Sequence, residues 1–199
     1  NPQDLNELII QGHGMYAHNM SEKLRFKLAG DYIYSEFSPN ATLQKWNRNL
    51  YRLNPHLAYK SSRVSLNAGF MFVTEFDDPL VEKTSVFPML QMDFGASDYI
   101  HLFGGVGGDV QFNSLSNFTT ELPWLGAKTL VKNSSQVGNV YGGIKGTTEK
   151  YVDFELKYAY SEYADLPFFV NSMTQNGAFE CAKIDNQEHG YTLETQCHR

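Results

Sequence analysis

Apolar and polar positions alternate along most of this chain. Val152, Phe154, Leu156, Tyr158 and Tyr160 fall on one face of an extended segment, and Asp153, Glu155, Lys157, Ala159 and Ser161 fall on the other. Side chains of a strand point to opposite faces in turn, so this period of two predicts a strand with one apolar, aromatic face and one charged or small face. The segment is the second half of a hairpin over Gly142–Tyr163, joined by Thr147, Thr148 and Glu149.

The same texture recurs. Lys23–Glu36 places Leu24, Phe26, Leu28, Tyr32 and Tyr34 opposite Lys23, Arg25, Lys27 and Asp31. Leu50–Lys60 places Tyr51, Leu53, Pro55, Leu57 and Tyr59 opposite Arg52, Asn54, His56, Ala58 and Lys60. Val64–Thr74, Thr84–Ala96 and Tyr99–Phe112 follow, with Leu8–Met20 less cleanly patterned before them and Ala178–Ile184 and Tyr191–Thr195 as weaker strands after. No helix is legible. Pro55 and Pro88 each remove a ladder donor, which a long strand tolerates near a rim or bulge.

The connections carry a second regularity. Short turns are expected near Ser21, Ser61, Ser97 and Thr148, and longer connections near Pro39, Asp78, Pro123 and Phe169. Tight turns gathered at one end and long loops at the other are the habit of an outer-membrane barrel. Tyr51 and Tyr59 bracket one outward face, as interfacial aromatic girdles do. The expected fold class is therefore all-β: an antiparallel up-and-down transmembrane-type β-barrel, or an open barrel segment, of about eight to ten long strands.

Composition narrows this further. With 199 residues the chain is long enough for one domain. Charged residues are 19% and aromatics 14%, with 12 Tyr and 14 Phe against 2 Trp. The net charge of −6 leaves no basic stripe for nucleic acid. No run of about 18 apolar residues predicts a membrane helix, but β-strands cross lipid with a much weaker hydropathy signal. Cys181 and Cys197 allow one intramolecular pairing, and their state stays open; their spacing to His189 and His198 matches no metal site.

Three stretches resemble a known family. NLYRLNPHLAYKSSRVSLNAGF, LFGGVGGDVQFNSLSNFTTELPWLG and VYGGIKGTTEKYVDFELKYAYSEYADLPFFVNS look like barrel strands of the TonB-dependent-receptor-like outer-membrane proteins of Bacteroidota. The resemblance covers roughly Leu8–Ser172, and residues 173–199 match it only loosely, as a tail. It implies the C-terminal barrel portion of such a receptor. The expectations are a bacterial outer-membrane location, lipid as partner and uptake of a nutrient ligand, with no enzyme activity and no cofactor. No plug domain and no TonB-contacting segment is legible, so TonB is a partner only if the parent protein carries a plug.

The charged faces supply the candidate chemistry. Arg52, His56, Lys60, Asp93, Asp109, Lys145, Asp153, Glu155 and Lys157 are expected to face the lumen, lining a path or pairing across strands. Phe118 and Trp124, in the long connection Asn113–Gln136, are candidate outer-loop ligand contacts. GGVGG at Gly104–Gly108 is followed by strand-like residues and so is no phosphate loop; glycines there relieve crowding or permit bending. The alternative is a soluble secreted β-barrel or sandwich binding a small apolar ligand, with the apolar faces turned inward. No nucleophile or oriented base favours an enzyme.

Overall fold

The computed structural model describes residues 5–39, 46–77, 81–121, 132–148, 152–171, 179–183 and 188–198. They form an antiparallel sheet in chain order: β1 (Leu5–Asn19), β2 (Leu24–Pro39), β3 (Trp46–Lys60), β4 (Val64–Asp77), β5 (Val81–Gly95), β6 (Ile100–Gln111), β7 (Ser134–Thr148), β8 (Val152–Ala164) and β11 (Glu188–His198). A separate two-stranded pair, β9 (Pro167–Asn171) and β10 (Phe179–Lys183), stands between β8 and β11 in sequence. The fold is thus the expected all-β, up-and-down array, with β1 and β11 as the two edges of the sheet among the described residues.

Up to the bulges at Gly107–Asp109 and Gln136–Gly138, the register carries the sequence pattern across the sheet. Ile33 lies opposite Leu50, Leu50 opposite Glu75, Val73 opposite Ser85 and Asp93 opposite Phe103. Phe103 lies opposite Gly143, and Lys145 opposite Glu155. Residues directly opposite share a face. The charged side chains therefore share one surface with the buried apolar set Ile33, Leu50, Val73 and Phe87, and the exposed apolar side chains share the other.

The charged surface is the concave one. Side chains on it bridge strands that are not neighbours, such as Lys145 on β7 with Asp93 on β5 and Arg52 on β3 with Asp109 on β6. Adjacent strands lie about 4.8 Å apart, so these bridges require the sheet to curl toward that face. Among the described residues, ring contacts on the other surface stay within a strand or between neighbours: Phe70 with Phe72 at 6.4 Å, Tyr32 with Tyr51 at 4.7 Å and Tyr51 with Phe76 at 5.7 Å.

Three differences from the sequence reading have physical causes. The strands are longer, with β1, β3 and β5 each 15 residues. At about 3.4 Å per residue that is about 50 Å, well beyond an apolar band of about 25 Å. Strands of this length continue through polar residues as long as the ladder holds, as where Thr74 meets Thr84 and Glu75 meets Lys83. Consequently the longer connection expected near Asp78 is largely taken up by strand, and the bounds of β4 and β5 leave only residues 78–80 between them. The strict alternation of short and long connections fails at that point.

The second difference is a helix, α1 (Leu115–Glu121), inside the long connection. Ser114 caps it, its Oγ accepting from the Asn117 amide at 3.1 Å. The third is β9, where a loop was expected. The weaker strands of the tail form β10 and β11, and β11 pairs along β8. Residue 149 of the expected Thr147–Glu149 turn, and the side chains of Cys181 and Cys197, lie outside the described residues.

Prolines and glycines shape the sheet locally. The β3–β4 ladder skips Asn54 and Pro55, resuming where His56 meets Gly69. The β5–β6 ladder ends at Leu90 opposite Val106, two residues past Pro88. Just beyond, β6 bulges between Gly107 and Asp109. From there the ends of β6 and β7 leave β5 and curl inward over β3–β5. Val110 is fully buried against Leu50, Val73, Ile33 and Phe87, with Phe112 packed beside them. Each such aliphatic side chain contributes about 1.5–3 kcal/mol of burial.

Candidate functional site

The concave face divides into two levels. The first lies toward the connections after β2, β4 and β6, where the segment around α1 folds back inside. Arg52 on β3 holds its entrance: Nε donates to Asp109 at 3.0 Å and Nη2 donates to the Val110 carbonyl. Arg48, four residues earlier on β3 and on the same face, donates to the Asn113 carbonyl at 2.8 Å and to Asn133 Oδ1 at 2.5 Å. Asn133 Nδ2 donates in turn to the buried Glu75 carboxylate at 2.8 Å. On β1, Glu7 accepts from the Ser116 amide at 3.0 Å and from Ser35 Oγ at 2.9 Å. Leu115 and Phe118 are both 6% exposed. The stem of the long connection is therefore a strap fixed to β1, β3 and β4 through charge-assisted bonds.

The second level lies toward the short turns and is open. Its floor holds two neighbouring rings, Phe103 and Tyr141, 6.5 Å apart and tilted by 46°. Phe103 lies against Gly143 and Tyr141 against Gly105, each ring facing the glycine opposite it in register. A Cβ on Gly105 would stand 2.6 Å from the Leu90 carbonyl and 2.7 Å from Tyr141 Oη, and one on Gly143 would stand 2.6 Å from Phe103 Cζ. The glycines make room for rings to lie flat on the sheet. The Lys145 ammonium sits 5.5 Å over the Phe103 ring and that of Lys157 5.7 Å over Tyr141, both within cation–π range.

Charges complete the level. Lys145 Nζ stands 2.6 Å from one Asp93 oxygen and His101 Nδ1 2.8 Å from the other. Asn67, Gln91, Phe103, Tyr141 and Glu155 line the hollow of about 280 Å³ around them. Asp153 accepts from Thr147 Oγ1 at 2.7 Å on the rim. Polar heads over ring faces, with amides beside them, can hold a polar ligand in several orientations. They do not form a nucleophile–base pair.

The residues singled out from sequence fall as follows. Arg52 and Asp109 meet at the strap. Asp93, Lys145 and Glu155 meet in the open hollow, with Asp153 and Lys157 beside it. His56 stands apart, Nδ1 3.3 Å from the Asn54 carbonyl and next to Gly69. Phe118 lies on α1 with its side chain buried, and Trp124 lies outside the described residues. Arg48, Glu75, Asn113, Asn133 and His101 escaped the sequence reading. Only His101 had a signal there, sharing the parity of Phe103 in β6. Among the described residues no group of three His, Cys, Asp or Glu is placed to hold a metal ion.

The apolar face has no such partners. Leu156 and Tyr158 are 45% and 52% exposed, and Leu8, Ile10, Leu53, Leu57, Phe70, Val86, Leu90, Met92 and Val140 are likewise exposed. Contiguous apolar surface on this scale is foreign to soluble monomers. This is the reverse of the inward-turned apolar faces expected of a soluble sandwich.

No protein-family model matches the sequence, and no curated protein does. Solved structures do match in shape. The apo form of the FrpB iron transporter from Neisseria meningitidis (F5-1 variant) superposes with a TM-score of 0.69 at 12% identity, over 98% of this chain and 34% of that one. The copper transporter OprC gives 0.62 at 11% identity, over 95% and 35%. The ferric enterobactin receptor PfeA of Pseudomonas aeruginosa gives 0.62 at 11%, over 96% and 33%. The chain spans about a third of the length of the structures it resembles, and the likeness is one of fold.

Proposed function

We propose that this chain forms part of the wall of a receptor-like outer-membrane β-barrel that takes up a nutrient ligand. The observation that carries the reading is the segregation of faces. One register-continuous surface is apolar and exposed, and the other holds the charged and amide side chains. Lipid on the first and a polar lumen on the second is the arrangement that satisfies both. The likeness to FrpB, OprC and PfeA in fold supports a transport barrel. The texture shared with Bacteroidota receptors in the sequence supports that lineage. TonB enters as a partner only through a plug domain of the parent protein.

Within this reading Arg52, His56, Asp93, Asp109, Lys145, Asp153, Glu155 and Lys157 face the lumen, and the ligand passes over the ring-floored hollow at the short-turn end. The strap narrows the lumen at the other end. The stretch proposed for outer ligand contact is the long connection beyond its stem, which carries Trp124; Phe118 is buried in the stem.

Spin labels test the reading. In full-length chain with Cys181→Ser and Cys197→Ser, reconstituted in lipid vesicles, labels at positions 156 and 158 are expected to collide with oxygen and not with a water-soluble nickel chelate. A label at position 155 should do the opposite. Equal access to the chelate at 155 and 156 would sink the membrane reading.

A further inference from the structure

The short-turn end of β2 and β3 holds a hollow of about 450 Å³ that the proposed transport path does not explain. Lys23, Arg25, Lys27 and Lys60 line it, with Glu22 as its one carboxylate. None of these four cations is ion-paired among the described residues. Arg25 Nε donates to Asn19 Oδ1 at 2.6 Å, which fixes the guanidinium and leaves its terminal nitrogens available.

The register makes this cluster a costly one. Lys60 donates its amide to the Lys23 carbonyl at 2.8 Å, so the two lysines stand opposite each other at the end of the β2–β3 ladder. Lys27 stands opposite His56. Like charges directly opposite across a ladder are destabilising, and the chain as a whole is acidic, with a net charge of −6. Elsewhere on the same face cations are matched: Lys145 with Asp93, Arg52 with Asp109, Lys83 with Asp165. Here the one carboxylate, Glu22, pairs with none of the four among the described residues. Lys23, Arg25 and Lys27 take alternate positions, so successive cations are spaced by about 7 Å along the strand. A ligand that brings two or more anionic groups fits that row, where a single chloride would satisfy one position at a time.

We propose that this hollow is a binding site for a small multivalent anion bearing phosphate or carboxylate groups. The four cations come from β2, β3 and the turn before β2, with Asn19 of β1 and Ser65 and Asn67 of β4 completing the lining, so the site stands whether or not the wall belongs to a nutrient receptor. The anion neutralises Lys23, Lys27 and Lys60 together and is held against Arg25 by charge-assisted hydrogen bonds. Its affinity falls with salt, because the hollow is open and screening is effective there.

Titration of the full-length chain, folded in detergent, with pyrophosphate and with citrate tests the proposal, with sodium chloride matched in ionic strength as reference. Saturable binding of one equivalent of either anion is expected, and which one binds more tightly tells phosphate from carboxylate chemistry. Lys27→Gln with Lys60→Gln should weaken it at least tenfold. Lys27→Arg with Lys60→Arg should restore it to within about threefold, which separates lost charge from lost fold. Lys132→Gln, an exposed cation elsewhere, should leave it unchanged. Absence of saturable binding by the unaltered chain, or equal weakening by Lys132→Gln, overturns the site.

Discussion

Arg52 reaches across the concave face to Asp109, 3.0 Å away, and joins the third strand to the bulged end of the sixth. The same guanidinium holds the Val110 carbonyl. Asp109 is nearly half exposed, so the ion pair itself is worth only about 1 kcal/mol. Its effect is positional. Arg52→Ala should loosen the strap while leaving the sheet intact. Amide exchange at residues 109–118 is the measurement, expected to rise about tenfold with exchange in β2 and β8 unchanged. Uniform exchange changes across all strands would show that Arg52 holds the whole sheet rather than the strap.

Asn133 sits between Arg48 and Glu75 and satisfies both. Asn133→Ala leaves the buried Glu75 carboxylate without this donor, at about 1–3 kcal/mol. Urea unfolding in detergent should show that loss as a lower midpoint at unchanged slope. Asn133→Ala combined with Glu75→Gln should recover part of it, because a neutral amide is less costly to leave under-bonded than a carboxylate.

How far the sequence led is visible in these two networks. Parity assigned Arg52, Asp93, Lys145 and Glu155 to one face, because a period of two survives any number of strands. Arg48 and Asn133 lie 85 positions apart, and their meeting depends on the bulge at Gly107–Asp109 and on Pro88 near the end of the β5–β6 ladder. Those are departures from regular pairing, and alternation is silent about them. The strand ends were set too early at Glu36 and Thr74. There the apolar pattern stops at the edge of the band, while the hydrogen-bonded ladder continues to Pro39 and Asp77.

Gly105 lies under Tyr141, and the Leu90 carbonyl limits it from behind. Gly105→Ala overpacks a site where backbone must move, at about 1–3 kcal/mol. The Tyr141 ring is expected to swing away, losing its contact with Lys157. A weaker Tyr141 near-ultraviolet dichroism in the variant, against an otherwise unchanged far-ultraviolet spectrum, would report it. An unaltered near-ultraviolet spectrum with unaltered stability would contradict the packing.

Leu156 and Glu155 are sequence neighbours on opposite faces. On the proposed membrane reading, Leu156→Arg should cost up to about 2–4 kcal/mol of folding into bilayers, the penalty for a cation on a lipid-facing strand position. Glu155→Gln should stay within about 0.5 kcal/mol. Equal penalties at the two positions, measured by reversible unfolding from vesicles, would mean that lipid does not distinguish the faces.

The seam above Leu90 and Val106 has a consequence for the order of assembly. Below it, each strand of the sheet can add to the one before it as soon as the intervening turn closes. Above it, the first half of β5 has β4 as its ladder partner, and the ends of β6 and β7 settle only after β1, β3 and β4 present Glu7, Arg48, Arg52 and Glu75 to receive them. The tucking of this corner therefore depends on strands that are already paired, and without it the concave face beside Arg48 and Glu75 would stand open.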